Sequence, residues 1–293
     1  MKATLAVYLL IVLAPEVFSQ SDYPDYASQL TYTMKKEEDL MREWIIVKLP
    51  AKDQRVFGEI EINRPGGLSS GPGPRAYIDQ NGKRAIDFGM AFYRQLEGAA
   101  DAFLIQEVLK KPGFFKEYFD YVKSRRGRRE WPTAYAGLNE EEAKAFYDLP
   151  DVKNSRGGLI MSAHFSVFLH EPGHHVLGHL ESPPSSLAVS RANEKAADEY
   201  SARVLMDNGF VPFGAIFSLS LLNALREGDI IYEGQETHPA EIRRLQYTCQ
   251  YILDNIDEYK ERFKERGVSF EDYKEKLSET ISEIAHSYSI EVR

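Results

Sequence analysis

Cysteine is nearly absent from this chain of 293 residues, which contains a single one, Cys249. No intrachain disulfide can form, and a zinc site built from cysteine pairs is excluded. A lone thiol on an apolar-periodic stretch is most often a small buried residue. Histidine is also scarce: there are seven, and four of them fall within residues 170–179. Any metal chemistry must therefore use histidine and carboxylate side chains. The histidines are concentrated in this one segment.

Positive charge and long apolar runs are in short supply as well. The formal net charge is −9 at pH 7, so binding to nucleic acid is not expected. Past the N-terminus no segment approaches the roughly 18 consecutive apolar residues of a membrane span. The body of the chain is therefore not expected to enter a membrane.

The N-terminus has the pattern of a secretory signal. Lys2 precedes the twelve-residue apolar run 3–14, and small residues follow near Ser19. The pattern predicts a signal peptide over residues 1–19 and an exported protein, periplasmic or extracellular. An uncleaved membrane anchor is the alternative, because of Pro15 and because the cleavage site matches the signal-peptide pattern imperfectly.

The order of the secondary-structure signals predicts an α+β fold, mostly helical, with a small antiparallel or mixed sheet. Strands are predicted at residues 44–49, 56–62, 75–78 and 84–88, with a hairpin turn at Gln80-Asn81-Gly82. Residues 134–158 are predicted to be irregular. A helix is predicted at 90–109, and a second one follows the break at Pro112-Gly113 and runs to about 123. Further helices are predicted at 159–180, 191–206 and 213–226, from His238-Pro239 onward, and in the tail from 252.

This pattern suggests four segments along the chain. They are the signal peptide at 1–19, an N-terminal extension at 20–43, a main domain at 44–250 and a charged helical tail at 251–293.

The segment that begins at His170 reads H-E-P-G-H. Residues four apart lie on one face of a helix, so His170 and His174 can share one metal ion. Two imidazoles and a carboxylate suit Zn²⁺ and leave a fourth position for water. Glu171, one residue round the helix, would lie beside the metal and take a proton from that water.

A third ligand is required, because two histidines on a helix are common without a metal. Glu194 and Asp198 are four apart on the next predicted helix and share a face. Glu194 can supply the carboxylate ligand. Asp198 can accept the second ring N–H of a ligating histidine. Taken alone, Glu194 would more often be a solvated surface residue; its pairing with Asp198 and the upstream motif favours the metal site.

These motifs together resemble the gluzincin family of HtpX and the CAAX prenyl proteases, including soluble secreted members. The resemblance lies in the HExGHxxxxH pattern at 170–179, the ExxAD pattern at 194–198, and Thr237-His238-Pro239 followed by Arg244. Strand residues Ala76, Tyr77 and Ile78 resemble the family's substrate-binding edge strand, although Arg75 replaces its asparagine. The resemblance covers about residues 44–250, and the membrane helices that flank other members are missing.

The resemblance implies a gluzincin-like fold and a role for each matching residue. His170, His174 and Glu194 would bind one zinc ion per chain, with Glu171 as the general base. His238 would donate a hydrogen bond to the developing oxyanion, and Arg244 would orient the site. Ala76, Tyr77 and Ile78 would pair with an extended peptide. The function implied is a secreted zinc endopeptidase acting on a peptide or protein substrate.

Pro172 complicates this interpretation, because a proline inside a helix costs about 3 kcal/mol or more. Either the helix bends and persists, or it restarts at Pro172 and displaces His170. The second outcome would favour a zinc-binding but catalytically inactive exported scaffold. A membrane-anchored structural protein with incidental histidines is a third possibility. A second pair four apart, His175 and His179, has Val176 in place of the base.

Overall fold

The computed structural model describes residues 26–67, 73–124, 130–210, 212–225, 241–265 and 269–291. None of the helices in these ranges is long and apolar enough to cross a bilayer. The predicted signal peptide at 1–19 lies outside them. The strands are β1 (Glu61–Asn63), β2 (Arg75–Ile78) and β3 (Arg84–Asp87). The helices are α1 (Tyr26–Trp44), α2 (Ala51–Glu59), α3 (Met90–Val108), α4 (Phe114–Ser124), α5 (Pro132–Tyr135), α6 (Glu140–Asp148), α7 (Pro150–Val176), α8 (Leu187–Asp207), α9 (Phe213–Leu225), α10 (Glu241–Asn255), α11 (Lys260–Glu265) and α12 (Phe270–Glu291).

The predicted α+β class, mostly helical with a small mixed sheet, is confirmed. The strand order is β1-β3-β2, with β1 parallel and β2 antiparallel to β3. The predicted hairpin joins β2 to β3. Gly82 has φ +78° there, a conformation that glycine adopts without strain. β2 therefore forms an edge of the described sheet.

The strand predicted at 44–49 is wrong, and the one predicted at 56–62 is right only at its end, where Glu61 and Ile62 belong to β1. The first segment begins at the end of α1 and continues as a 3₁₀ turn, and the second lies mostly in α2. Met41, Ile45 and Leu49 are all buried, and their spacing of four places them on one helical face. A short apolar run does not distinguish a buried helix end from a strand.

Residues 134–158, predicted as irregular, contain α6 and the start of α7. Asn139 and Glu142 exchange side-chain and backbone hydrogen bonds in a capping box at the start of α6. Pro150 occupies the first turn of α7, where its missing N–H has no helical partner to lose. The capping box and the first-turn proline are not apolar repeats, so a search for hydrophobic periodicity does not detect them.

The other predicted helices are present with shifted ends. α3, α8 and α9 match the segments predicted at 90–109, 191–206 and 213–226 within a few residues, and the tail is helical. α7 ends at Val176, before the predicted 180. His238 and Pro239 lie outside the described residues, and α10 is described from Glu241 onward.

Helix α7 lies at the centre of the fold. One apolar cluster joins it to α1, α3, α4 and α9, and a second joins it to α2, β3 and α8. A third cluster packs α8, α9, α10 and α12 around Cys249, which is buried as expected. α7 is consequently covered on several sides, and the polar side chains that it carries must find partners inside the protein.

Buried charged pairs attach α7 to its neighbours. Nε of Arg156 lies 2.5 Å from Oδ1 of Asp101 on α3, and Trp131 and Tyr147 donate to the other oxygen of that carboxylate. Nδ1 of His164 lies 2.5 Å from Oε2 of Glu37 on α1. Burial alone would lower the pKa of His164, but the Glu37 and Glu38 carboxylates raise it. These pairs fix the position of the part of α7 that precedes His170.

Gly214 allows α9 to cross α7 at very short range. A Cβ at this position would overlap the backbone carbonyl group of Ser162. We expect Gly214→Ala to force the helices apart and to lower the free energy of unfolding by about 1–3 kcal/mol. The midpoint of chemical unfolding measures this change.

Gly58→Ala in α2 is the matched control, because nothing lies within 4 Å of its added Cβ. That change should raise stability by about 0.5–1 kcal/mol. A Gly214→Ala protein as stable as the Gly58→Ala protein would contradict the close crossing.

Candidate metal centre

Helix α7 continues through Pro172 without a break. His170 and His174 therefore keep their places on one face, with their Nε2 atoms 3.2 Å apart. Apolar contacts on both sides of the proline hold the helix, since Phe168, Leu169 and Val176 all pack in the cluster with α2 and α8. Of the two outcomes considered for Pro172, the uninterrupted helix is the one observed.

Glu194 of α8 completes a group of three candidate ligands. Its carboxylate oxygens lie 3.4 Å from Nε2 of His170 and 3.5 Å from Nε2 of His174. Tetrahedral zinc with bonds of 2.0–2.1 Å needs ligand atoms about 3.3 Å apart. All three residues are buried. The group has the donor chemistry, spacing and burial of a site that could hold a metal ion.

Asp198 lies behind His170 and binds groups from two helices. Its Oδ1 is 2.8 Å from Nδ1 of His170, which turns Nε2 of that ring toward the ligand group. Arg244 of α10 donates two hydrogen bonds to the same carboxylate, at 2.8 and 2.9 Å. Sequence reasoning missed Tyr247, whose hydroxyl donates to Oδ2 at 3.0 Å. Its spacing of three from Arg244, one face of a helix, was the available signal.

The charges in the site are strongly coupled. Burial alone would lower the pKa of His170, but Asp198 and Glu194 raise it to about 10. Burial and the nearby His170 lower the pKa of His174 to about 3. Burial opposes ionisation of Glu194 and Asp198, yet the positive charges of His170 and Arg244 lower both carboxyl pKa values. The pocket thus holds ionised carboxylates that favour a cation, which would replace the proton of His170.

Glu171 lies beside the ligands and contacts the sheet. Burial raises the pKa of its carboxyl group to about 7, and it accepts a hydrogen bond from the backbone of Ala76 in β2. A buried carboxylate with a pKa near neutrality can take up and release protons at physiological pH. Its position connects the helix that carries the ligands with the edge strand.

A cavity of about 460 Å³ opens onto the three ligands and Glu171. Its lining also includes Arg75 and Ala76 of β2 and Leu219 and Leu222 of α9. Tyr77 and Ile78 are not among the described residues that line it. The Tyr77 hydroxyl instead donates to Asp87 at 3.1 Å. Of the three strand residues predicted to bind substrate, Ala76 is the one that reaches the cavity.

The remaining predicted site residues have different outcomes. His238 and Thr237 lie outside the described residues, so the structure does not place them. His175 and His179 do not form a second ligand pair: Nε2 of His175 lies 3.0 Å from the carbonyl oxygen of Ala85. Nδ1 of His179 instead lies 3.1 Å from Nδ1 of His174.

Comparison with known proteins adds one finding to this geometry. Residues 91–263 match the family model described as Peptidase U49. The matched segment is more than half of the chain and contains all of α7 and α8, with the three ligands, Glu171 and Asp198. No curated protein and no solved structure matches the chain significantly.

The ligand group predicts that substitution of His174 removes the metal, whereas substitution of the neighbouring His175 does not. His174→Ala removes one of three ligand atoms, so we expect metal content to fall from about one ion per chain to a small fraction of that. Elemental analysis of protein purified without chelators gives the number. His175→Ala is the matched control, because its ring contacts the Ala85 carbonyl and not the ligand group. Equal metal content in the two variants would contradict this site.

Proposed function

Because the chain belongs to the Peptidase U49 family, we propose that it is a zinc-dependent endopeptidase of the gluzincin type. One observation carries the proposal: His170, His174 and Glu194 line the same cavity as Glu171. This combination supplies the ligand set and the base that a zinc peptidase uses to hydrolyse a peptide bond. As a peptidase, the protein acts on peptide or protein substrates.

Zinc is the metal that fits this donor set best. Two imidazole nitrogens and one carboxylate, spaced for tetrahedral geometry, leave one position open. A zinc ion held there would supply Lewis-acid activation of a water molecule and of the substrate carbonyl group. The contact between His170 and Asp198 holds the ring with Nε2 toward the ligand group, and Arg244 keeps that carboxylate ionised and oriented.

Glu171 is the residue that we propose as the general base. Its carboxylate accepts a proton from the attacking water and then delivers it to the nitrogen of the leaving amine. The group must bind and release one proton in each cycle, and burial, which raises its pKa, favours the protonated half. The bond to the backbone of Ala76 keeps the carboxylate at the wall of the cavity.

The edge strand β2 is the proposed binding surface for the peptide. β3 pairs with one side of β2, and an extended substrate would pair with those main-chain groups of the other side that do not already contact Glu171. Ala76 brings this edge to the cavity. On the resemblance to HtpX and the CAAX prenyl proteases, we propose His238 as the donor to the oxyanion. We also retain export by residues 1–19 and a catalytic domain at 44–250 as proposals.

The alternative, a zinc-binding protein without activity, depended on disruption of the helix by Pro172. The continuous course of α7 removes that support. We therefore favour the active enzyme.

Glu171→Gln tests the mechanism. The amide cannot accept the water proton, yet it leaves the three ligands in place, so we expect full zinc content with hydrolysis slower by a factor of about 10² to 10⁴. The measurement is cleavage of an unfolded protein such as casein by the chain from residue 20 onward, with zinc content determined on the same samples. Glu141→Gln, on the exposed side of α6, is the matched control and should behave like the parent.

Two results would change this assignment. If Glu171→Gln cleaves as fast as the parent, Glu171 is not the base. A parent protein that retains zinc and cleaves neither casein nor a mixed peptide library would point to the inactive binding protein.

A further inference from the structure

The two nitrogens of the His174 ring face different surroundings. Nε2 lies 3.2 Å from Nε2 of His170 and 3.5 Å from Oε1 of Glu194, so it belongs to the ligand group. Nδ1 lies 3.1 Å from Nδ1 of His179, and the two ring planes meet at 70°. His179 thus contacts the nitrogen of His174 that does not face the ligands.

We propose that His179 is a positioning residue for His174: it accepts the Nδ1–H of His174 and so leaves Nε2 free to bind the metal. A neutral imidazole carries one N–H. If Nε2 is a ligand, the proton must be on Nδ1, and that buried N–H requires an acceptor. Nδ1 of His179 is at hydrogen-bond distance. The inference rests on the zinc site of the proposed function and adds a residue to it.

The end of α7 places His179 in this position. Gly178 has φ +75°, the left-handed conformation that terminates many helices. The N–H of Gly178 donates to the carbonyl of His175 at 3.3 Å, and the N–H of His179 donates to the carbonyl of His174 at 2.9 Å. This pair of bonds is the Schellman motif, which folds the chain back over the last helical turn. The backbone therefore holds His179 against His174, which is the residue whose carbonyl it caps.

The ligand histidines then have unlike partners. His170 has an ionised carboxylate, Asp198, whereas His174 has a neutral imidazole. Each partner comes from a separate part of the fold, α8 for Asp198 and the cap of α7 for His179. A direct ligand role for His179 does not fit, because its Nδ1 faces the side of the His174 ring away from His170 and Glu194.

Two substitutions of His179 separate hydrogen bonding from packing. His179→Phe keeps a ring of similar size but has no acceptor. His179→Asn is smaller but can place Oδ1, attached to Cγ as Nδ1 is, where the acceptor was. We expect the Phe variant to bind zinc about 10- to 100-fold more weakly than the parent, and the Asn variant to bind it close to the parent. Zinc affinity is measured by competition with a chromogenic chelator.

Leu177→Ala, an exposed change in the same turn, is the control and should leave zinc affinity unchanged. The thermal stability of the metal-free proteins gives a second readout, because a variant that fails to fold would lose stability together with zinc affinity. If packing is what matters, the order reverses, with Phe like the parent and Asn weakened. That reversal, equal weakening of both variants, or parent-like affinity of the Phe variant would overturn the inference. A parent protein that binds no zinc would instead overturn the proposed function.

Discussion

Helix α7 is buried while carrying an unusual number of polar side chains, and the rest of the structure depends on how these are paired. A buried charge without a partner costs several kcal/mol, so each one requires a counterpart from another element. Asp101 of α3 pairs with Arg156, Glu37 of α1 with His164, and Asp198 of α8 with His170. The pairing partners thus determine which helices surround α7. The contact at His170, in the candidate metal centre, is the last of these three pairs along α7.

Asp198 is the point where three helices meet. Its carboxylate contacts the ring of His170 from α7 and accepts hydrogen bonds from Arg244 and Tyr247 of α10. Removing Arg244 would take away the guanidinium group that compensates this buried carboxylate. The ligand geometry on α7 therefore requires the C-terminal helices to be folded. Cys249 and its apolar neighbours, which attach α10 to α8, α9 and α12, support the site from outside it.

The cavity includes residues that lie before the segment matched by the family model. The match to Peptidase U49 begins at residue 91, in α3, and includes the three candidate ligands, the proposed base Glu171 and Asp198 behind them. The edge strand β2, which we propose for substrate binding, precedes it. The bond between Glu171 and the backbone of Ala76 connects the two parts. The proposed general base and the proposed peptide-binding strand are thereby in contact.

Local spacing in the sequence determined much of the site. Positions four apart on a helix must share a face, and this rule alone pairs His170 with His174 and Glu194 with Asp198. Gln80-Asn81-Gly82 likewise predicted the hairpin. The strand predicted at 44–49 and most of the one at 56–62 were wrong because a short apolar run suits a buried helix as well as a strand. Whether α7 survives Pro172 was decided by tertiary packing, which offsets the lost hydrogen bond through contacts the local sequence does not contain. The approach of α8 and α10 to α7 was decided in the same way, because the partner that neutralises a buried charge can come from anywhere in the chain.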